Sequence, residues 1–308
     1  MRKKVSILGA GNVGASIAQL IARDGIADIV LYDIAEGLPQ GKALDLAEAC
    51  PLWNSSVSVK GTNSYDDIAH SDILVVTAGF PRKPGMSRDD LLQANADVVR
   101  HVVGEASKKS RHAFIIVVTN PMDVMAQLAW KISGFDHQKV LGMGGVLDST
   151  RFRTFVSLEL GVSAVDVEAL VMGGHGDQMV PMPRFTTVKG VPITKMLSPA
   201  KITSIIERTR TGGAEIVSLL KAGSAYYAPA AATYQMIRAI VFDERRILPC
   251  AAYLTGQYGV RHIYVGVPVV LGKDGIEQVI ELELNEQEKK DFDKSLSAVT
   301  ALLEKIAI

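Results

Sequence analysis

Short runs of β-branched and aliphatic residues alternate with helical patterns through the first half of the chain. Residues 5–8, 29–32, 73–77 and 114–118 are apolar at nearly every position. A strand covered on one face alternates apolar with polar, whereas one covered on both faces does not, so these runs predict buried strands of a parallel sheet. Helical periodicity falls between them at 15–23 and 91–108. This order predicts a doubly wound α/β sheet, with 140–142 as a last strand. The rhythm then changes. Residues 148–160 read as a helix ended by Gly161, and 167–172 as a strand. Helical patterns follow at 201–221, interrupted by Gly212-Gly213, and at 230–242. Strands cluster at 251–254, 263–271 and 277–282, and Asn285 with Glu288 is a capping pair for a closing helix that reaches about Ile306. No repeat or long linker intervenes, so two regions, 1–145 and 146–308, are expected to pack together.

Composition narrows the function classes. At 308 residues the chain can bury a large core, and its apolar share of 48% is that of an ordinary globular protein. Lys plus Arg and Asp plus Glu both total 33, so no net field gathers nucleic acid or an anionic membrane, although a local cationic pocket is not excluded. Cys50 and Cys250 form no CxxC pair and have no clustered His, which predicts reduced apolar fillers and no metal site. The apolar run after Met1-Arg-Lys-Lys stops at Gly9, too short for a secretory signal. No stretch approaches the roughly 20 apolar residues of a membrane span, so a cytoplasmic protein without membrane contacts is expected.

Gly9-Ala10-Gly11-Asn12-Val13-Gly14 lies between the first strand and the first helix. That context suits a dinucleotide pyrophosphate: Gly9 for the turn, Gly11 for close approach, Gly14 for helix–strand packing, and the helix N-terminus facing the phosphates. Asp33, at the end of the second strand, is placed to hold ribose hydroxyls and to repel a 2′-phosphate, favouring NAD over NADP. Asn120, before Pro121, ends another strand at the ligand-binding edge; its amide serves either a ligand or the local turn. The segment from Phe80 to Asp90 carries Arg82 and Arg88 and reads as a lid, with simple solvation as the alternative. His175 sits in Met172-Gly-Gly-His-Gly-Asp177, and Asp148 and Arg151 are spaced to share a helix face. A His needs a carboxylate to fix its tautomer, and an Arg can fork onto a substrate carboxylate. Asp148 fills the first role if the segments meet; Asp177 is the alternative.

Together GAGNVG, Ala78-Gly-Phe-Pro-Arg82-Lys-Pro-Gly-Met-Ser-Arg88, TNP, VLDSTR and MGGHGD closely resemble the malate dehydrogenases of the lactate dehydrogenase-like type. The match runs from Val5 to the closing helix. The resemblance implies an NAD-binding Rossmann domain followed by an α+β substrate domain, assembled as a homodimer or homotetramer. It also implies roles. His175 would take the proton in malate oxidation, with Asp148 stabilising its cation. Arg151 would bind the C1 carboxylate, Arg88 the reacting oxygen and Arg82 the distal carboxylate. Asn120 would bind substrate, while Asn95, Val118, Thr119 and Asn120 would contact NAD. Lactate dehydrogenases usually carry glutamine at the position of Arg82, so that residue favours malate and oxaloacetate over lactate and pyruvate. An L-lactate or other 2-hydroxyacid dehydrogenase is the nearest alternative. An NAD-dependent glycosidase would need metal-binding Cys or His residues, and a non-catalytic NAD sensor would have no use for His175, Asp148 and the three arginines.

Overall fold

The computed structural model describes residues 2–80, 88–221 and 223–306. β1 (Lys4–Leu8), β2 (Asp28–Tyr32), β3 (Val59–Thr62), β4 (Ile73–Val76), β5 (Phe114–Val117) and β6 (Val140–Gly142) run parallel in the spatial order 3-2-1-4-5-6. Alternate residues sort onto two sides of this sheet. Val5, Ile7, Ile29, Leu31, Ile73 and Val75 enter one core, while Leu8, Val30, Tyr32, Leu74 and Val76 enter the other. Helices α1 (Asn12–Asp24), α2 (Leu38–Ala49), α3 (Arg88–Lys109) and α4 (Met122–Ser133) alternate with the strands. Ile17 and Ile21 of α1 line the first core, and Val99, Val103 and Leu128 of α3 and α4 line the second. Covering both faces explains the unbroken apolar runs, each buried Val, Leu or Ile contributing about 1.5–3 kcal/mol.

The second half contributes α5 (Gly144–Leu160), then β7 (Val167–Glu168), β8 (Val171–Met172), β9 (Val180–Pro181), β10 (Thr187–Val188) and β11 (Val191–Pro192). After these come α6 (Pro199–Leu220), α7 (Tyr227–Val241), β12 (Arg246–Thr255), β13 (Arg261–Gly272), β14 (Gly275–Val279) and α8 (Glu286–Leu303). The last three strands are antiparallel and continue the first sheet, with Ala251 opposite Gly142. Among the described residues this makes one nine-stranded sheet. Met236 and Ile237 of α7 enter the first core, and Tyr234 Oη donates to Asp24 of α1 at 2.5 Å. The two halves therefore share a core.

Several expectations are corrected. The run 167–172 is not one strand: β7 pairs with β10 and β8 with β9, because the chain turns between two small sheets and the Val171 N–H is taken by Ser149 Oγ of α5 at 2.9 Å. Helix α6 is continuous through Gly212 and Gly213. The pair faces α5, where a Cβ on Gly212 would make ordinary contact with Phe155 at 3.4 Å and one on Gly213 with the Arg151 guanidinium at 3.5 Å, so neither glycine opens the helix. The first turn of α5 starts at Gly144, where Gly145 lets it approach Pro249 of β12. The final strand ends at Val279 rather than 282. Helix α8 carries the expected capping box between Asn285 and Glu288. Among the described residues no helix is long and apolar enough to cross a membrane, and no group of three or more His, Cys, Asp or Glu could hold a metal ion. Cys50 and Cys250 are buried and free.

Candidate active site

The carboxyl ends of β1, β4 and β5 meet at one edge of the sheet. Gly14 has no room for a side chain, since a Cβ there would lie 1.9 Å from the Gly9 carbonyl oxygen. Gly11 differs: a Cβ there would meet nothing within 4 Å. Packing explains Gly14, whereas Gly11 leaves open space at the helix start. Gly11 is also the N-cap of α1, with no side-chain cap and no acidic residue in the first turn. Uncapped N–H groups and a bare backbone approach fit an anionic pyrophosphate. Asp33 Oδ2 accepts from the Ala10 N–H at 2.7 Å and Oδ1 from the Ala35 N–H at 2.9 Å, which fixes the carboxylate beside the glycine turn. Lys42, which sequence reasoning missed, donates from Nζ to the Ala10 carbonyl at 2.7 Å. It lies on α2, a helix whose Pro39 and Gly41 obscure the periodic pattern.

Asn95 ties two strand ends together. Its Oδ1 accepts from the Phe80 N–H at 2.7 Å, and its Nδ2 donates to the Asn120 carbonyl at 2.7 Å. Only 1% exposed, it commits its amide to Phe80 and Asn120. Thr119 is likewise buried, its hydroxyl donating to the Ala78 carbonyl at 2.7 Å, and Val118 is buried beside it. Asn120 is exposed at the edge, before a cis peptide bond to Pro121. Arg82 lies outside the described residues, as does the Arg88 side chain; the Arg88 main chain opens α3.

The His segment is brought against α5. His175 Nδ1 and Asp148 Oδ2 are 2.7 Å apart, so Asp148 rather than Asp177 is the ring's carboxylate partner. Asp148 also accepts from Arg151 Nη1 at 3.2 Å, one turn along the same helix face. Asp148 is 2% exposed in its side chain, His175 12% and Arg151 14%, so the carboxylate is hidden and its partners reach the surface. With Nδ1–H donated to Asp148, Nε2 carries the free lone pair. Burial disfavours the cationic ring, but the Asp148 carboxylate more than offsets this, and the affinity of His175 for a proton is raised above the ordinary histidine value. Arg151 Nε is buried without a hydrogen-bond partner among the described residues. A base, its orienting carboxylate and a guanidinium with unused donors can together move a proton on a bound anion.

Two family models span almost the whole chain: lactate/malate dehydrogenase, NAD binding domain, over residues 3–142, and lactate/malate dehydrogenase, alpha/beta C-terminal domain, over 145–307. The chain belongs to the lactate/malate dehydrogenase family. An NAD-type cofactor follows from the first domain. The chain is 55% identical over 307 residues to a malate dehydrogenase of Desulforudis audaxviator, covering 100% of this chain and 99% of that one. A crystal structure of Cryptosporidium parvum malate dehydrogenase is similar at 45% identity with a TM-score of 0.96. A lactate dehydrogenase of the same organism, complexed with lactic acid and nicotinamide adenine dinucleotide, is similar at 42% with the same TM-score. Each structure covers 99% of this chain and 98% of its own. Within the lactate/malate dehydrogenase family, backbone likeness thus leaves the choice of substrate to individual side chains.

Proposed function

We propose that the chain is a malate dehydrogenase, reversibly oxidising (S)-malate to oxaloacetate with NAD. The observation that carries this reading is the buried Asp148 held at 2.7 Å from His175 Nδ1, with Arg151 on the same helix face. His175 Nε2 takes the C2 hydroxyl proton during oxidation and returns it during reduction. Asp148 stabilises the imidazolium, and Arg151 pairs with the C1 carboxylate. Bound NAD supplies the hydride acceptor. Gly9, Ala10, Gly11, Asn12, Val13 and Gly14 hold its pyrophosphate, and Asp33 its adenine-side ribose, which favours NAD over NADP. Val118, Thr119 and Asn120 border the nicotinamide end, with Asn95 supporting them from behind. Arg82 pairs with the distal carboxylate and Arg88 stabilises the negative charge that develops on the reacting oxygen.

Arg82 and the curated malate dehydrogenase relative support oxaloacetate, while the likeness to a lactate dehydrogenase structure keeps pyruvate as the competitor. NADH oxidation with the two acids at matched concentrations tests the choice. A large preference for oxaloacetate is expected; a preference for pyruvate would overturn the substrate and retain the proton chemistry. A homo-oligomer belongs to the same proposal, supported by the exposed apolar side chains of Leu44, Leu158 and Leu219 on α2, α5 and α6. Light scattering on the eluting protein measures its size.

The raised proton affinity of His175 gives opposite pH dependences in the two directions. Oxidation needs the neutral ring, so its rate rises as pH passes through the pKa; reduction needs the cation, so its rate falls there. In kcat/KM profiles both inflections are expected above the ordinary histidine value of 6.5. Inflections below it would count against Asp148 as the dominant influence.

A further inference from the structure

The His segment is anchored at three successive residues. Gly173 exchanges both main-chain hydrogen bonds with Gly266 of β13, at 2.9 and 3.1 Å. The Gly174 N–H donates to Ser295 Oγ of α8 at 2.8 Å. The His175 N–H donates to Asp123 Oδ2 of α4 at 2.7 Å. Ser295 is 0% and Asp123 4% exposed, so neither bond is a surface accident. Asp123 Oδ1 has no hydrogen-bond partner among the described residues, so the carboxylate is buried with half its acceptors idle.

Ser295 shows that a neutral hydroxyl is enough to hold an N–H in this segment. A carboxylate doing the same work one residue further on is a costly choice, since a buried charge must be compensated. Its place in the first turn of α4 offers partial compensation from the helix N-terminus. The remaining compensation points to a cation that forms nearby. Among the described residues, the charged groups acting on the His175 ring are Asp148 and Arg151 from α5 and Asp123 from α4. Helix α8 and β13 contribute the neutral Ser295 and Gly266.

We propose that Asp123 is a second carboxylate of the acid–base site, a positioning residue that, with Ser295, fixes the main chain of His175 and, as a buried anion, favours the imidazolium. The proposal rests on His175 being the proton-transfer group. Burial pushes the Asp123 carboxyl up to about 6, against the pull of the His175 N–H, so above that pH the group is mainly anionic. Two buried carboxylates then share one histidine through different contacts: Asp148 through the ring, Asp123 through the main chain.

Asp123→Asn keeps an acceptor for the His175 N–H and removes the charge. Losing a nearby anion lowers the imidazole pKa, expected here by about 0.5 to 1 unit. Both kinetic inflections then move to lower pH, and kcat for reduction at a pH above both inflections falls about three- to tenfold. Ser295→Ala frees the Gly174 N–H without touching any charge, so kcat is expected to fall severalfold with the inflections unmoved. The direct readout is NMR titration of the His175 imidazole in cofactor-free protein, its signal assigned by its absence in His175→Asn. That measurement needs no turnover, so it stands even if the malate dehydrogenase reading fails. An unmoved imidazole pKa in folded Asp123→Asn would overturn the proposal. If that variant does not fold, Ser295→Ala decides, and wild-type kcat there would overturn it.

Discussion

His175→Asn is expected to lower kcat/KM for oxaloacetate by about 10³- to 10⁴-fold, a loss of roughly 4–5.5 kcal/mol of transition-state stabilisation. Asparagine keeps a polar side chain of similar reach, but it cannot carry the proton that Nε2 exchanges with the substrate. The buried Asp148 carboxylate, now 2.7 Å from the imidazole, would also lose its ring partner and keep only Arg151. NADH affinity should be nearly unchanged, because the glycine turn and Asp33 that hold the pyrophosphate and ribose are built from β1, α1 and β2, elements apart from the His segment. Steady-state kinetics beside NADH fluorescence titration separates the two effects. Turnover close to wild type would mean that another group handles the proton, and the role given to Asp148 would fall with it.

Arg82→Gln should change the ratio of kcat/KM for oxaloacetate over pyruvate by about 10³-fold in favour of pyruvate. A guanidinium enclosed with a three-carbon acid has no carboxylate to neutralise it, whereas a C4 dicarboxylate provides one. Discrimination based on an unpaired charge is far larger than that based on one extra methylene. Phe80, four residues beyond the end of β4, has its N–H held by the same Asn95 side chain that holds the Asn120 carbonyl. Parallel assays of the variant with both acids measure the ratio. A ratio within about threefold of wild type would remove Arg82 as the reader of the distal carboxylate.

The parallel sheet was legible because its strands are buried on both faces, which leaves an unbroken apolar run in each. Helix α4 was harder to read: Asp123 and Gln127 recur at helical spacing, but both are buried with the rest of Met122 through Ala129, so the polar positions do not mark a solvent face. Strand β3, Val59–Thr62, hid in the opposite way, being short and half exposed. Gly212 and Gly213 misled because a glycine pair lowers helix propensity locally, whereas the packing of α6 on α5 keeps the helix unbroken. Similarly, the alternation of polar and apolar residues cannot show that 167–172 divides between two sheets, since the division is made by Ser149 capturing the Val171 N–H.

Sequence alone determined the chemistry available. Glycines at fixed spacing after a strand, Asp33 at the end of the next, and His175, Asp148 and Arg151 are local features, and local spacing dictates turns and helix faces. The family, too, follows from the sequence. Only the tertiary structure decided which groups meet. It chose Asp148 over Asp177 as the partner of His175, turned the Asn95 side chain inward to join two strand ends, and brought Lys42 to the glycine turn. It also set Asp123 and Ser295 on successive N–H groups of the His segment. These pairings join residues from separate elements, and a contact of that kind is fixed by how buried surfaces pack, which no periodicity along the chain encodes.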